Sequence, residues 1–293
     1  MCFFFAFFQR IVTKLILHSF ILHNVYIKVG EKKMFKKTSK EKNNTKYKKI
    51  ENIVLSIVLF FALILLLIRF FMPLCLTTKY KGENFLFTSV KELEGEELQR
   101  FIQCSDKILE IAKENPFYKP NKKVVFCFYD DKKLYSRIAL GKSIGFVMNF
   151  GNYAVIHFSE TDFINETITG MAEKYNQRTL VETAVHELTH VYLTKGLQAL
   201  DAFLFPTWKR EGIAEVIATS GSYDINQGLE NFYAEIDDKS KQYDYFLYRL
   251  AVLYLMNEKD LSLEEIYVSK DYKFNQLLQE IRLYEKDYVL SWF

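Results

Sequence analysis

Cysteine is scarce in this chain, four in 293 residues, which excludes a disulfide scaffold. Proline is as rare, and its four residues (Pro73, Pro116, Pro120, Pro206) mark where apolar or helical runs stop or start. No internal repeat is visible. Gly141-Lys142-Ser143 has the ending of a phosphate loop, but Ser136 stands where its first glycine is required, so that loop is excluded. Excess positive charge is missing from most of the chain. Residues 77–293 carry 26 Lys+Arg against 33 Asp+Glu, a balance of −7, which argues against a nucleic-acid partner. Residues 1–76 carry 13 against 3, a balance of +10, so the overall +3 describes neither part. With 49% hydrophobic residues, global disorder is excluded.

Ile53 to Ile68 is uncharged, and Pro73 closes a twenty-residue apolar stretch that ends at Met72. Twenty helical residues reach roughly 30 Å, the thickness of a bilayer core. Arg69 sits near one end, where it can snorkel to the interface. Residues 28–49 hold ten lysines, whereas Lys79, Lys81 and Lys91 are diluted by Glu83, Glu92, Glu94, Glu96 and Glu97. The positive-inside rule then places the N-terminus in the cytoplasm and residues 77–293 outside. The lysines serve as the topology signal or as a site for anionic membrane lipid. There is no A-x-A-like exit, and a bulky Leu74 precedes Cys75, so an uncleaved single-pass anchor of the cell membrane is expected. Residues 1–33 are Phe-rich at first and interrupted by Arg10, Lys14, His18 and His23. They are a poor second membrane segment or an untranslated stretch upstream of a start at Met34. Lysine outnumbers arginine 31 to 8, as expected of an AT-rich bacterial genome.

The expected organisation is a cytoplasmic segment (1–51), an anchor (52–76) and one ectodomain, with an α+β part at 77–177 and a helical part at 178–293. Helical spacing runs from Glu96 to Asn115 (Leu98, Phe101, Ile102, Ile108, Leu109, Ile111). Lys123–Tyr129 reads as a strand. Asp131–Leu140 reads as a short helix, and Phe146–Phe150 with Tyr153–Phe158 as a hairpin around Gly151-Asn152. A small sheet followed by a helix cluster is an α+β order.

His186-Glu187-Leu188-Thr189-His190 is H-E-x-x-H. On a helix, residues four apart share a face, so both imidazoles reach one zinc ion with Glu187 beside them. Thr179 and Glu182 form a capping box at the start. Val181, Ala184, Val185, Leu188, Val191 and Tyr192 form the buried stripe, and Lys195-Gly196 supplies the stop. A catalytic zinc needs three protein ligands and an open position. The third candidate is Glu211 in Trp208-Lys209-Arg210-Glu211-Gly212-Ile213-Ala214-Glu215, with Glu215 one turn on.

H-E-x-x-H followed some twenty residues later by W-x-x-E-G-x-A-E resembles the gluzincin metallopeptidases, and H-E-L-T-H is seen in thermolysin-like enzymes. The resemblance covers about residues 179–219 and places the chain nearest the small peptidase MA-like domains. It implies a zincin-like fold and a Zn²⁺ cofactor held by His186, His190 and Glu211. It implies Glu187 as general base and Glu215 as the acid orienting a ligand histidine. An oxyanion-stabilising tyrosine is expected on a later helix; Tyr245 matches, with Tyr243 and Tyr248 as alternates. A substrate-binding edge strand is expected upstream of the zinc helix. Tyr153–Phe158 is its equivalent, with Val155 and with His157 facing the cleft or serving structure. No G-x-M-E-N motif is present, which argues against an aminopeptidase. Cys104 and Cys127 either pair or remain buried thiols. The implied function is a membrane-anchored zinc endopeptidase acting on a peptide or protein substrate. The alternatives are a non-catalytic binding module of the same fold and a zinc hydrolase of a non-peptide substrate.

Overall fold

The structure, a computed structural model, describes residues 51–64, 76–139, 143–170, 178–194, 205–219, 221 and 223–293. It divides into two units, Met1–Met72 and Pro73–Phe293. In the first unit residues 51–64 form helix α1. Among the described residues no helix is long and apolar enough to cross a membrane. The expected span runs past residue 64 into residues that are not described, as do the lysine-rich segment before residue 51 and the Lys195-Gly196 stop.

The second unit has the expected α+β order. It begins with strands β1 (Thr78–Lys81) and β2 (Phe85–Ser89), followed by helix α2 (Gly95–Glu114) and strand β3 (Lys123–Tyr129). Helix α3 (Lys132–Ala139), the hairpin β4 (Gly145–Phe150) and β5 (Tyr153–Asp162), and the short β6 (Thr167–Thr169) come next. Strand order is β1-β2-β3-β5-β4, with β6 pairing the end of β5. β2, β3 and β5 run parallel, while β1 and β4 are antiparallel to their neighbours. Parallel β2 and β3 need a crossover, and α2 supplies it. Gly151 has φ +55° at the first turn position, where a type II′ hairpin takes glycine.

Six of the seven β3 residues are buried, because both faces of the sheet are covered. On one face Val124, Phe126 and Phe128 join Phe87, Ala154, Ile156 and Phe158. Phe87 and Phe126 stack at 4.6 Å, and Phe128 and Phe158 at 5.1 Å. Phe101, Cys104 and Ile108 of α2 complete this cluster. The alternate β3 residues point the other way, where Tyr129 meets Tyr135 of α3. Cys104 and Cys127 therefore belong to opposite faces. Both are buried free thiols, so the pairing alternative falls.

Among the described residues seven helices follow. They are α4 (Leu180–Leu193), α5 (Thr207–Ile217), α6 (Ile225–Tyr233), α7 (Lys241–Glu258), α8 (Leu263–Val268), α9 (Phe274–Ile281) and α10 (Lys286–Leu290). Most of α4's buried residues join the sheet cluster. A second cluster forms around α7, whose Leu250 to Leu255 are all buried, with Trp208 and Ile213 of α5. α5 reaches α7 so closely because Gly212 has no side chain. A Cβ there would lie 2.8 Å from the Tyr248 carbonyl carbon and from Val252 Cγ2.

Candidate metal centre

α4 starts as its residues require. Thr179 Oγ1 accepts from the Glu182 amide at 3.3 Å, and Glu182 Oε2 accepts from the Thr179 amide at 2.6 Å, a complete capping box. Val181, Ala184, Val185, Leu188, Val191 and Tyr192 are all buried. With that stripe fixed against the sheet, His186 and His190 share the remaining face, their rings 4.8 Å apart. Across from them α5 is anchored by Trp208 and by Lys209, which donates to Ser269 Oγ at 2.7 Å. Its Glu211 and Glu215 are buried, Glu215 completely.

Three donor atoms converge. His190 Nε2 lies 3.2 Å from His186 Nε2 and 3.1 Å from Glu211 Oε2, and His186 Nε2 lies 3.4 Å from that oxygen. A tetrahedral ion with bonds of about 2.0 Å places its ligands about 3.3 Å apart. The triangle therefore matches one face of such a tetrahedron and leaves its fourth corner to a further ligand. Two imidazoles and a carboxylate can hold a divalent ion of borderline softness. The other Glu211 oxygen accepts from Arg210 Nη2 at 3.1 Å, which turns Oε2 toward the histidines. Behind His186, its Nδ1 lies 3.4 Å from Glu215 Oε1, and Glu215 is ion-paired with Arg178.

The electrostatics follow from burial and from these pairs. Burial, helped by the Arg178 charge, pushes His186 down to about 3, so its ring is neutral, as a metal ligand must be. Burial also works against a charged His190, but the Glu211 carboxylate beside it wins and raises its pKa. Burial would raise Glu211; the two histidines outweigh it and hold the carboxylate well below its usual range. Glu187 is pushed up by burial, partly opposed by His190, Arg178 and Lys241.

Glu187 abuts Gly145, the first residue of β4: a Cβ at Gly145 would lie 2.7 Å from Glu187 Cγ and 2.8 Å from its carboxylate carbon. Tyr245 of α7 joins the group, its ring 6.2 Å from that of His186. The Arg178 Cζ and Lys241 Nζ lie 5.9 Å and 5.1 Å from the Tyr245 ring. The alternates pack elsewhere: Tyr243 stacks on Phe246 in the helical cluster, and Tyr248 meets Phe274 edge-on. Burial pushes the Tyr245 hydroxyl well up, so it stays protonated and able to donate.

The expected substrate strand needs correction. Tyr153–Phe158 lies in β5, which pairs with β3 on one side and β4 on the other, so its backbone groups are already used. Val155 and His157 are fully buried within the sheet. His157 Nδ1 meets the Tyr129 hydroxyl at 2.9 Å, on the sheet face away from α4, which is a structural role. β4 and β1 stand at the two ends of the sheet order, and β4 is the one that runs beside α4. Arg178 and Gly145 carry no motif signal in the sequence, and Gly212 stands in the W-x-x-E-G-x-A-E motif without its packing role being evident. Gly212 follows the third ligand candidate directly, and Arg178 is an arginine retained in a lysine-rich chain just before the Thr179 cap. No protein-family model matches this chain, and no curated protein matches its sequence.

Proposed function

We propose that the chain is a zinc-dependent peptidase of gluzincin type, tethered to the cell membrane by its N-terminal segment, that hydrolyses peptide bonds on the extracytoplasmic side. The observation that carries this is the triangle of His186, His190 and Glu211 donor atoms, with sides of 3.1 to 3.4 Å, beside a half-buried Glu187. His186, His190 and Glu211 would hold the ion, which when bound would supply Lewis-acid polarisation of water and of the scissile carbonyl.

The chain's own groups do the rest. Glu187 takes the proton from the attacking water and later delivers it to the leaving amine. Burial raises its pKa, which makes it a better base than an exposed carboxylate. Tyr245 stays protonated and donates to the developing oxyanion. Glu215 holds the His186 ring through Nδ1, leaving Nε2 for the ion. β4 stands at one end of the strand order among the described residues and would offer backbone N–H and C=O groups to an extended peptide, added as a strand along α4.

The test uses the full-length chain in detergent. Bound metal is measured, and casein and quenched peptides are offered to the wild type and to Glu187→Gln. Stoichiometric zinc with cleavage abolished in Glu187→Gln is expected. Absence of bound zinc removes the proposal; zinc without Glu187-dependent cleavage points to a binding module or another substrate.

A further inference from the structure

We propose that Arg178 is a positioning residue of this centre, acting on His186 through Glu215. The inference rests on the metal-binding reading above and extends it outward by one residue. Glu215 is fully buried, and a buried carboxylate needs a compensating charge and a fixed direction. Arg178, itself nine-tenths buried, supplies the charge: its Nη2 pairs with Glu215 Oε1. The same oxygen lies 3.4 Å from His186 Nδ1. One carboxylate oxygen is thus aimed by a guanidinium on one side and by a ligand histidine on the other. Which imidazole nitrogen carries the proton is set by the partner of Nδ1. Holding that partner still keeps Nε2 directed at Glu211 Oε2 and His190.

Arg178 is also placed to act on more than one helix. It sits one residue before the Thr179 cap of α4, while Glu215 is on α5 and the Tyr245 ring, 5.9 Å from Arg178 Cζ, is on α7. A planar guanidinium fork can fix such a carboxylate in a way that a lysine point charge does not.

The competing view is that Arg178 merely ties α4 to α5. Zinc affinity separates the two, measured on the full-length chain by competition with a chromophoric chelator. The absorption spectrum of the cobalt-substituted protein is recorded alongside, and the melting point of the metal-free protein is taken. Arg178→Gln and Glu215→Gln are each expected to weaken zinc binding about 10- to 100-fold and to alter the cobalt spectrum. The double variant should be no weaker than either single one, because both act through one contact. A lower melting point with unchanged zinc affinity and cobalt spectrum overturns the proposal, as does simple additivity of the two losses. Arg178→Lys is expected to fall between wild type and Arg178→Gln. It carries the test alone if Arg178→Gln does not fold, and affinity equal to wild type would then overturn the proposal. If the wild type binds no zinc, the metal reading fails and this inference with it; if the wild type binds and Arg178→Gln binds equally, only the inference fails.

Discussion

Replacing Gly212 by alanine probes the point where helix packing meets the proposed metal site. The added methyl would lie 2.8 Å from the Tyr248 carbonyl carbon and from Val252 Cγ2, about 1 Å inside ordinary carbon contact of about 3.5–4.0 Å. One of those neighbours is helix backbone, so relief requires α5 and α7 to separate. Over-packing of this kind costs about 1–3 kcal/mol. Alanine recovers about 1 kcal/mol through its better helix propensity, leaving a net loss of about 0–2 kcal/mol. The larger effect falls on the neighbouring residue. Glu211 moves with α5, while His186 and His190 stay on α4, so the triangle widens along its Glu211 edges. Zinc affinity should fall by at least about 10-fold, and turnover by about 100-fold for a displacement near 1 Å. Thermal melts in chelator give the stability change, chelator competition the zinc affinity, and cleavage kinetics the turnover. A variant that melts higher by the propensity gain alone, and binds zinc as tightly as wild type, would refute the close α5–α7 contact.

Gly145→Ala places a methyl 2.7–2.8 Å from the Glu187 side chain, so turnover should fall about 10- to 100-fold with zinc content unchanged; equal activity would show that β4 and Glu187 are not in contact. Tyr245→Phe removes the proposed oxyanion donor and should lower kcat by about 100- to 1,000-fold with little change in KM; steady-state kinetics decide, and an unchanged kcat dismisses the role. Saturating zinc should raise the unfolding free energy by about 4 kcal/mol at a thousandfold excess over Kd, because its ligands come from two helices; calorimetry with and without chelator reads this, and an unmoved transition refutes it. Burial pushes Cys104 up to about 11 and Cys127 and Tyr129 higher still. These groups stay neutral when folded and ionise sooner when unfolded, so stability is full below about pH 8.5 and falls as pH rises through the folded values. Denaturant midpoints measured between pH 8 and pH 11 should drop, and native thiol labelling at pH 8 should be slow.

Much of the site was legible because it is local. The capping box, the apolar stripe of α4 and the four-residue spacing of His186 and His190 all lie within one helix, where periodicity determines geometry. The hairpin was legible for the same reason, from Gly151-Asn152 and its apolar flanks. Order across the sheet is not local. Alternation says that β4 and β5 are strands, yet not which lies outside. The unbroken burial from Ala154 to Ser159 is the mark of an inner strand, and His157 within that run disguised it. β1, with its lysines at Lys79 and Lys81, and the five-residue β2 carry too weak a pattern to stand out. Arg178 was invisible because its partner Glu215 lies 37 positions away in the chain, a pairing created by the packing of α4 on α5.

The candidate ligands are divided between two hydrophobic clusters, the histidines rooted in the sheet cluster and Glu211 on a helix rooted in the other. A chain is made from its N-terminus, so the sheet and α4 emerge first, carrying a bare pair of histidines. The third candidate ligand arrives with α5, and Tyr245 follows on α7. A nascent or half-folded molecule therefore holds only fragments of the proposed site. In the proposed peptidase, that division would make completed folding itself the safety catch on a site that would otherwise meet its own unfolded copies first.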